Sequence, residues 1–573
     1  MPFLPYLNEI EAYRDVVSEF RGYNHNLRQG ENEFFDMKNM TSDLFPVLSP
    51  RNKRGKLRTF GKPNGLHAHD KLCWVDGTAF FYDGEQKGTV EDSPKQFVNM
   101  GAYILIWPDK VFYNTATDEF GSLENSTTTS GTVTYTLSRD DGSAYENVTA
   151  SATAPASPTD GMLWIDTSES PNVLKQYSTT TTSWVSMPTT YVKIAATGIG
   201  EGFAEYDGVD ITGMEEPSLN GNFTLYGVGD DFILVTGIIS AVGEQEAAVT
   251  VSRSVPDMDF ITESENRIWG CSSANHEVYA CKLGDPKNWN SFLGIASDSY
   301  ALTIGSSGDF TGCTTHLSNI IFFKEDVIHK LWGTKPSNYE LDNVKARGVQ
   351  KGSEKSIVIV NETLYYKSRN DVCTYGSSLP SAISDALGTD KYFDAVAGAF
   401  GNKYYISMRD GKGIWNLFVY DESKGLWHRE DNTHATYFAA LGSELYFIDA
   451  ADNGLYTVGG ELTEYADEDA SLEDYVEWYV ESGDIGITTP DHKYISKLQF
   501  RMEVALGSRV CVDFMYDASG RWEHKFNITA TRKHSFTVPV IPQRCDTMKY
   551  RVYGVGPCRI FAVSKVTEQG SEI

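Results

Sequence analysis

The chain is 573 residues long and carries 49 Lys and Arg against 78 Asp and Glu, a formal net charge of −29. That length exceeds the ~250–300 residues at which one core stops growing, so several domains are expected, and the missing basic footprint argues against a specific grip on nucleic-acid phosphates. With 13% aromatic residues, 32 Tyr, 29 Phe and 50 Gly, the composition favours strands and tight turns over helices.

The first residues, "MPFLPYLNEIEAYRDVVSEF", lack a basic segment followed by an apolar run and are not read as a secretory leader. Nowhere does the ~18-residue apolar stretch of a membrane helix occur. Leu7, Ile10, Tyr13, Val17 and Phe20 recur at three or four residues, which predicts a short amphipathic helix. Residues 1–56 then read as an arm that ends in a basic cluster, Arg51 to Lys56. Apolar residues without a core of their own should wrap over the fold or over a neighbouring subunit.

From about residue 66 a phrase recurs: a hydrophobic strand, a polar turn and an aromatic-rich strand. It appears in "HDKLCWVDGTAFFYDG", "GAYILIWPDKVFYNTATDEF", "NRIWGCSSANHEVYACKLGDP" and "LSNIIFFKEDVIHKLWGTKP". It returns in "NETLYYKSRNDVCTYGSS", "GNKYYISMRDGKGIWNLFVYDESKGLWHRED" and "GSELYFIDAADNGLYTVGG". A spacing of roughly 30–50 residues is that of repeat folds, and each copy is too small to bury its own faces. The fold class is therefore all-β. About seven blades of a β-propeller, closed so that strand edges are protected, account for the copies over 57–120 and 256–465. The competing architecture is two separate β-sandwiches.

One copy ends in "GDPKNWN". Asp285 and its proline suit a turn, Asn288 and Asn290 can bond nearby backbone, and Trp289 can fill the wedge between blades. A Ser/Thr-rich region at 121–255 interrupts the repeats and reads as an inserted, exposed β region. Within it, "PTDGMLWIDTSESPNVLKQYSTTTTSWVSM" reads as three short strands carrying Trp164, Tyr177 and Trp184, and 200–255 reads as another small β unit. The three aromatics suit either a sugar-stacking platform or the minimal core of a small module. From 472 to 573 the pattern changes again. Leu498, Phe500, Met502 and Val504 alternate with Lys497, Gln499, Arg501 and Glu503, which predicts an antiparallel β-sandwich with one wet face.

Recognised catalytic motifs are missing: no P-loop, GxGxxG, GxSxG or HExxH occurs. His67, His69 and Asp70 could approach a metal, but no third partner can be named. "SRDDGSAY" resembles the Asp-box of sialidases, a motif that shapes a hairpin turn. The pairs Asp140/Asp141 and Asp230/Asp231 suit turns better than acid–base dyads, and an acidic loop could hold calcium. The eight cysteines, Cys73, Cys271, Cys281, Cys313, Cys373, Cys511, Cys545 and Cys558, show no CxxC or metal-ligand spacing. They read as buried free thiols of a protein made in a reducing cytoplasm.

The stretches "FFDMKNMTSDLFPVLSPR", "RIWGCSSANHEVYACKLGDPKNWNSF" and "SGDIGITTPDHKYISKLQFRMEV…PQRCDTMKYRVYGVGPCRIF" resemble virion structural proteins of bacteriophages and prophages of Gram-positive hosts. The repeat part is similar to β-propeller head-to-tail stabilisation and tail-nozzle proteins, and the insertion to small β modules of tail fibres. The resemblance implies a tail structural protein acting as nozzle, hub or adaptor. It would assemble as a homo-oligomeric ring in the host cytoplasm and reside in the virion, with no enzymatic duty and no cofactor. Its partners would be other tail or connector proteins, with genomic DNA only as passing cargo and no membrane. The net charge either keeps the protein soluble or lines a passage that repels DNA. An alternative role is host attachment through cell-wall glycans bound by 121–255, and a third is a glycan-cleaving propeller enzyme.

Overall fold

The computed structural model describes residues 12–376, 378–488 and 492–569. The structure is built of strands, and no α-helix occurs among the described residues. The chain divides into two units, Met1–Pro94 with Phe323–Ile328 and Val344–Ile573, and Lys95–Phe322 with His329–Asn343.

In the first unit the repeat phrases form antiparallel meanders. One runs over Pro63–Ala68, Leu72–Asp76, Ala79–Tyr82 and Glu85–Thr89, and another starts at Val358–Val360. A third starts at Tyr392–Phe400 and a fourth at Ala435–Leu441. Their first strands lie side by side in the order Val358–Val360, Tyr392–Phe400, Ala435–Leu441, Pro63–Ala68. Trp74, Leu66, Tyr437, Tyr446 and Leu455 pack between the last two sheets. The fourth meander has only three consecutive strands. Gly55–Thr59, from the far end of the chain, pairs with Gly454–Thr457 to complete it, with Ser471–Leu472 on its other side.

The remaining strands of this unit form two five-stranded sheets. One holds Ala12–Val17, Cys558–Gln569, Lys493–Val504, His534–Val538 and Arg544–Cys545. The other holds Phe34–Lys38, Glu477–Ser482, Met548–Val555, Arg509–Tyr516 and Glu523–Ile528. Leu498, Phe500, Met502 and Val504 of the first share one buried cluster with Val510, Val512, Phe514 and Val552 of the second.

The N-terminal segment departs from the expected helix. Leu7 and Ile10 lie outside the described residues, whereas Tyr13 and Val17 sit on the strand Ala12–Val17, paired antiparallel to Val563–Glu568. A long partner strand gives Ala12–Val17 a ladder along one edge, and tertiary pairing overrides the weak helical periodicity. Further along, Phe20, Tyr23, Phe34, Met37 and Met40 are buried among side chains of this same unit. Gly22 shows why the segment follows its path. Its φ is +78°, and a Cβ there would meet the Trp427 carbonyl oxygen at 2.2 Å, just where Tyr23 N donates to that oxygen at 2.7 Å.

The basic cluster that ends the arm is not solvated. Arg54 donates to Glu430 Oε2 at 2.6 Å, Asp431 Oδ2 at 2.9 Å and Thr433 Oγ1 at 2.8 Å. Arg51 donates to Glu473 Oε2 at 2.7 Å and to Asn39 Oδ1 at 2.9 Å. Both arginines are buried.

In the second unit, meanders starting at Gln96–Met100, Phe260–Ser264 and Phe310–His316 lie in that order, first strand beside first strand. Leu105, Trp107, Ile268 and Trp289 fill the space between the first two, and Trp269, Phe310 and Phe322 that between the second and third. Two-residue turns with both φ positive close these hairpins, at Glu265–Asn266 (51° and 59°) and Leu317–Ser318 (49° and 59°); such turns match the twist of the flanking strands.

The insertion leaves and returns side by side, because Asn125–Thr128 pairs with Thr250–Arg253. Its body is one eight-stranded sheet that includes Val133–Ser138, Tyr191–Ala195, Gly208–Thr212, Gly221–Gly229 and Phe232–Thr236. The unit expected at 200–255 extends back along the chain, since its strand Phe232–Thr236 pairs with Tyr191–Ala195, which pairs in turn with Val133–Ser138. Between them sits a separate sheet of four strands where three were expected. The extra strand, Val148–Ser151, pairs parallel to Leu163–Asp166, and its polar sequence carries too little alternation to announce it.

Candidate functional site

The four-stranded sheet over residues 148–186 has two unlike faces. Alternation turns Leu163, Ile165 and Leu174 inward, where they join the core of the eight-stranded sheet. Trp164, Lys175, Tyr177 and Trp184 take the other face, with Trp164 opposite Lys175 and Tyr177 opposite Trp184. The aromatics are therefore not the core of the module but a second cluster on its outward side. Trp184 packs edge-on against both Trp164 and Tyr177, with ring centroids 5.3 Å apart in each case.

The three rings are not equivalent. Trp164 is 6% exposed. Its Nε1 donates to Ser151 O at 2.9 Å, and Lys175 Nζ sits 5.3 Å over the ring. The strand Val148–Ser151 and the Trp184 ring cover it, so Trp164 supports the face rather than offering it to a ligand. Tyr177 and Trp184 are half-buried and form the open part. Beside them Lys175 Nζ bridges Asp166 Oδ2 at 2.8 Å and Glu169 Oε1 at 2.7 Å. The hydrogen bond from Lys175, with that from Ser168, holds the Asp166 carboxyl down at about 2. Two tilted rings beside a fixed carboxylate and ammonium can stack on a pyranose and bond its hydroxyls.

The "GDPKNWN" turn does more than punctuate a sheet. Asn288 is fully buried. Its Nδ2 donates to Asp285 and, at 2.9 Å, to Asp207 Oδ1, while its Oδ1 accepts from Gly208 N at 2.8 Å. Asp207 is itself ion-paired with buried Arg253. Asn290 Nδ2 lies 3.4 Å from Asp210 Oδ2. Trp289 is 3% exposed, and its Nε1 donates to Pro286 O at 2.9 Å. Trp289 thus packs in the wedge between two meanders, and the asparagines latch the insertion to the turn.

The Asp-box-like "SRDDGSAY" forms a tight hairpin: Gly142 N donates to Arg139 O at 3.0 Å and Ser143 N to Asp141 Oδ1 at 2.8 Å. Asp231 likewise serves a turn, accepting from Gly198 N at 2.9 Å. His69 Nδ1 lies 3.2 Å from Asp70; among the described residues no group of three or more His, Cys, Asp or Glu could hold a metal. All eight cysteines are free and buried.

One cluster has no counterpart in the sequence reading. Asp394, left-handed at φ 54° beside a bulge, accepts from Arg409 Nε at 2.7 Å. Trp415 stacks on His434 with ring centroids 3.6 Å apart. Burial lowers the pKa of His434, against a smaller upward pull from Asp394. The cluster joins three strands of one sheet to the residue that precedes the first strand of the next, and no motif spacing signals it.

No known protein family matches the chain, and no curated protein does. Solved structures match at low similarity. An exo-beta-1,3-galactanase from Phanerochaete chrysosporium shares 8% identity at a TM-score of 0.21, covering 53% of this chain and 94% of its own. The phage phi92 endosialidase shares 9% identity at a TM-score of 0.25, covering 73% and 72%. BamB from Moraxella catarrhalis shares 10% identity at a TM-score of 0.17, covering 43% and 95%. The expectation of no enzymatic duty is overturned by these matches, two of which are glycan-cleaving enzymes, and it is not retained.

Proposed function

We propose that this chain is a tail-associated virion protein of a bacteriophage that recognises glycans of the host surface through its insertion. The observation that carries the reading is the outward aromatic face of residues 148–186. Tyr177 and Trp184 stand half-buried beside Asp166 and Lys175, on a module whose packing needs are already met by its other face. A ring cluster that the core does not require is suited to a ligand. The similarity of the "GMLWIDT…W" segment to tail-fibre modules points the same way.

In this reading the meanders form a seven-bladed propeller and the two five-stranded sheets a β-sandwich. Together they serve as a stiff scaffold, and closure would remove the exposed strand edges. As nozzle, hub or adaptor the chain would sit in several copies around the tail, assembled in the host cytoplasm. Stacking on two rings gives weak binding at one site, and multiple copies would raise avidity by roughly 10²–10⁴.

The test is binding of the intact protein to purified neutral cell-wall polysaccharides, with Trp184→Ala and Tyr177→Ala as variants. The reading requires saturable binding that both variants abolish while the thermal transition stays in place. Absence of binding, or binding indifferent to both changes, overturns it. Negative-stain images of the purified protein report ring formation separately.

A further inference from the structure

A second polar and aromatic surface lies in the other unit, on the outward face of the sheet containing Glu477–Ser482 and Met548–Val555. Its register lines up Lys38, Tyr479, Tyr553 and Cys511 across four strands. Arg551 stands in the next row, between Glu481 and Asp513. A groove of about 580 Å³ opens over these rows, lined by Lys38, Glu477, Tyr479, Arg509, Arg551 and Tyr553 among others. That volume is within the usual range of ~300–1,000 Å³ for small-molecule sites.

Arg551 is held in place before any ligand arrives. Its guanidinium carbon lies 4.8 Å from the centre of the Trp522 ring and 5.1 Å from that of Tyr553. Its Nη2 donates to Asp513 Oδ2 at 2.8 Å. Asp513 is buried, and it also lies 3.0 Å from His524 Nδ1 and 3.3 Å from the Tyr553 hydroxyl. The Nε of Arg551 is buried with no hydrogen-bond partner. A buried donor left unmade is costly. The lining of the groove also carries more cations than acids: Lys38, Arg509 and Arg551 against Glu477. Glu477 lies 3.6 Å from Lys38 and Asp513 holds Arg551, so Arg509 tips the local balance in a chain whose net charge is −29.

We infer that this groove binds a carboxylated saccharide, its sugar ring lying against Tyr479 and Tyr553 and its carboxylate meeting Arg551 and Arg509. A planar guanidinium matches a carboxylate in geometry as well as charge. The floor is the face of a sheet, with its backbone groups already paired, so it offers an extended peptide none of the main-chain hydrogen bonds by which peptides usually dock.

The test is calorimetric titration of the intact protein with trigalacturonate, a neutral galactose trisaccharide and hexaglutamate. Trigalacturonate should bind, and the neutral sugar and the peptide should bind more weakly or not at all. The K38Q/R509Q double variant alters two surface side chains outside the core and should weaken uronate binding by roughly tenfold or more, as expected for loss of charge-assisted bonds, with an unchanged thermal transition. Trp184→Ala should leave uronate affinity intact, which separates this site from the insertion. The inference fails if trigalacturonate does not bind at millimolar concentration, or if the neutral sugar or hexaglutamate binds as well. It fails equally if the folded double variant binds like the wild type.

Discussion

Replacing Arg54 by Ala should release the strand that completes the last meander of the first unit. Arg54 makes three hydrogen bonds to Glu430, Asp431 and Thr433 at 2.6–2.9 Å. The side chains of Arg54 and Glu430 are 9% and 5% exposed. Removing one partner of a buried ion pair costs about 3–5 kcal/mol, because the other charge stays buried without compensation. Arg51 remains 3.7 Å from Glu430 and 3.6 Å from Asp431, so the lower end, about 3 kcal/mol, is the expected value. At 1.4 kcal/mol per decade that is roughly a hundredfold. Hydrogen exchange of the amides in Gly55–Thr59 should accelerate by about that factor. R54M combined with E430Q and D431N removes the stranded charges and should recover most of the loss. Exchange of this strand unchanged in Arg54→Ala would refute the assignment of the cluster as a lock.

The same cluster sets an acid limit. Burial alone would raise the Asp431 carboxyl, but Arg54 and Arg51 beside it bring it down to about 2, against an ordinary 3.8. A carboxyl lowered in the folded state contributes stability above its unfolded pKa and loses it as pH falls through the folded one. That difference corresponds to roughly 2 kcal/mol, present at neutral pH and lost between about pH 4 and pH 2. Protection of Gly55–Thr59 should decline over that window in the wild type and be flatter in D431N.

Three further changes probe other joints. Gly22→Ala forces a Cβ to 2.2 Å from the Trp427 carbonyl oxygen at φ +78°; it should cost at least about 2 kcal/mol, read as earlier proteolysis of the arm. Asn288→Ala leaves Gly208 N–H without its acceptor and Asp207 Oδ1 without its Asn288 donor in a buried setting and should destabilise by about 2 kcal/mol, seen as selective proteolysis of 121–255 with the rest intact. Leu317→Asn with Ser318→Gly relieves a left-handed leucine at φ 49° that is 57% exposed; urea denaturation should show about 1 kcal/mol of added stability.

The alternation of Leu498, Phe500, Met502 and Val504 was legible because each inward position meets one continuous core. The repeat phrases were legible for a related reason: strands buried on both faces must be apolar throughout, as Ile320, Ile321, Phe322 and Phe323 are. The partner of the last meander was not legible. Gly55–Thr59 follows a basic cluster that looks like a solvated tail until Glu430, Asp431 and Glu473 are placed around it. At the insertion, Trp164 and Trp184 both sit on short strands of one module. Their difference in burial comes from Val148–Ser151, a strand without a hydrophobic signature. Asp394, Arg409, Trp415 and His434 escaped notice because the bulge and the neighbouring sheet that gather them leave no fixed spacing in the chain.

The two candidate ligand surfaces differ in physics as well as place, and this difference is measurable. On the insertion, Lys175 is held by Asp166 and Glu169, so the charges there are locally balanced and stacking on Tyr177 and Trp184 would dominate. In the groove of the other unit, Lys38 pairs with Glu477 at 3.6 Å and Arg509 adds a further exposed cation. Salt screens exposed charges over about 8–10 Å at physiological ionic strength and hardly touches stacking. Raising salt should therefore weaken uronate binding steeply while leaving neutral glycan binding at the insertion nearly constant. Parallel loss of both would mean that charge, and not ring contact, drives recognition at Trp184, and the stacking argument for the insertion would fall.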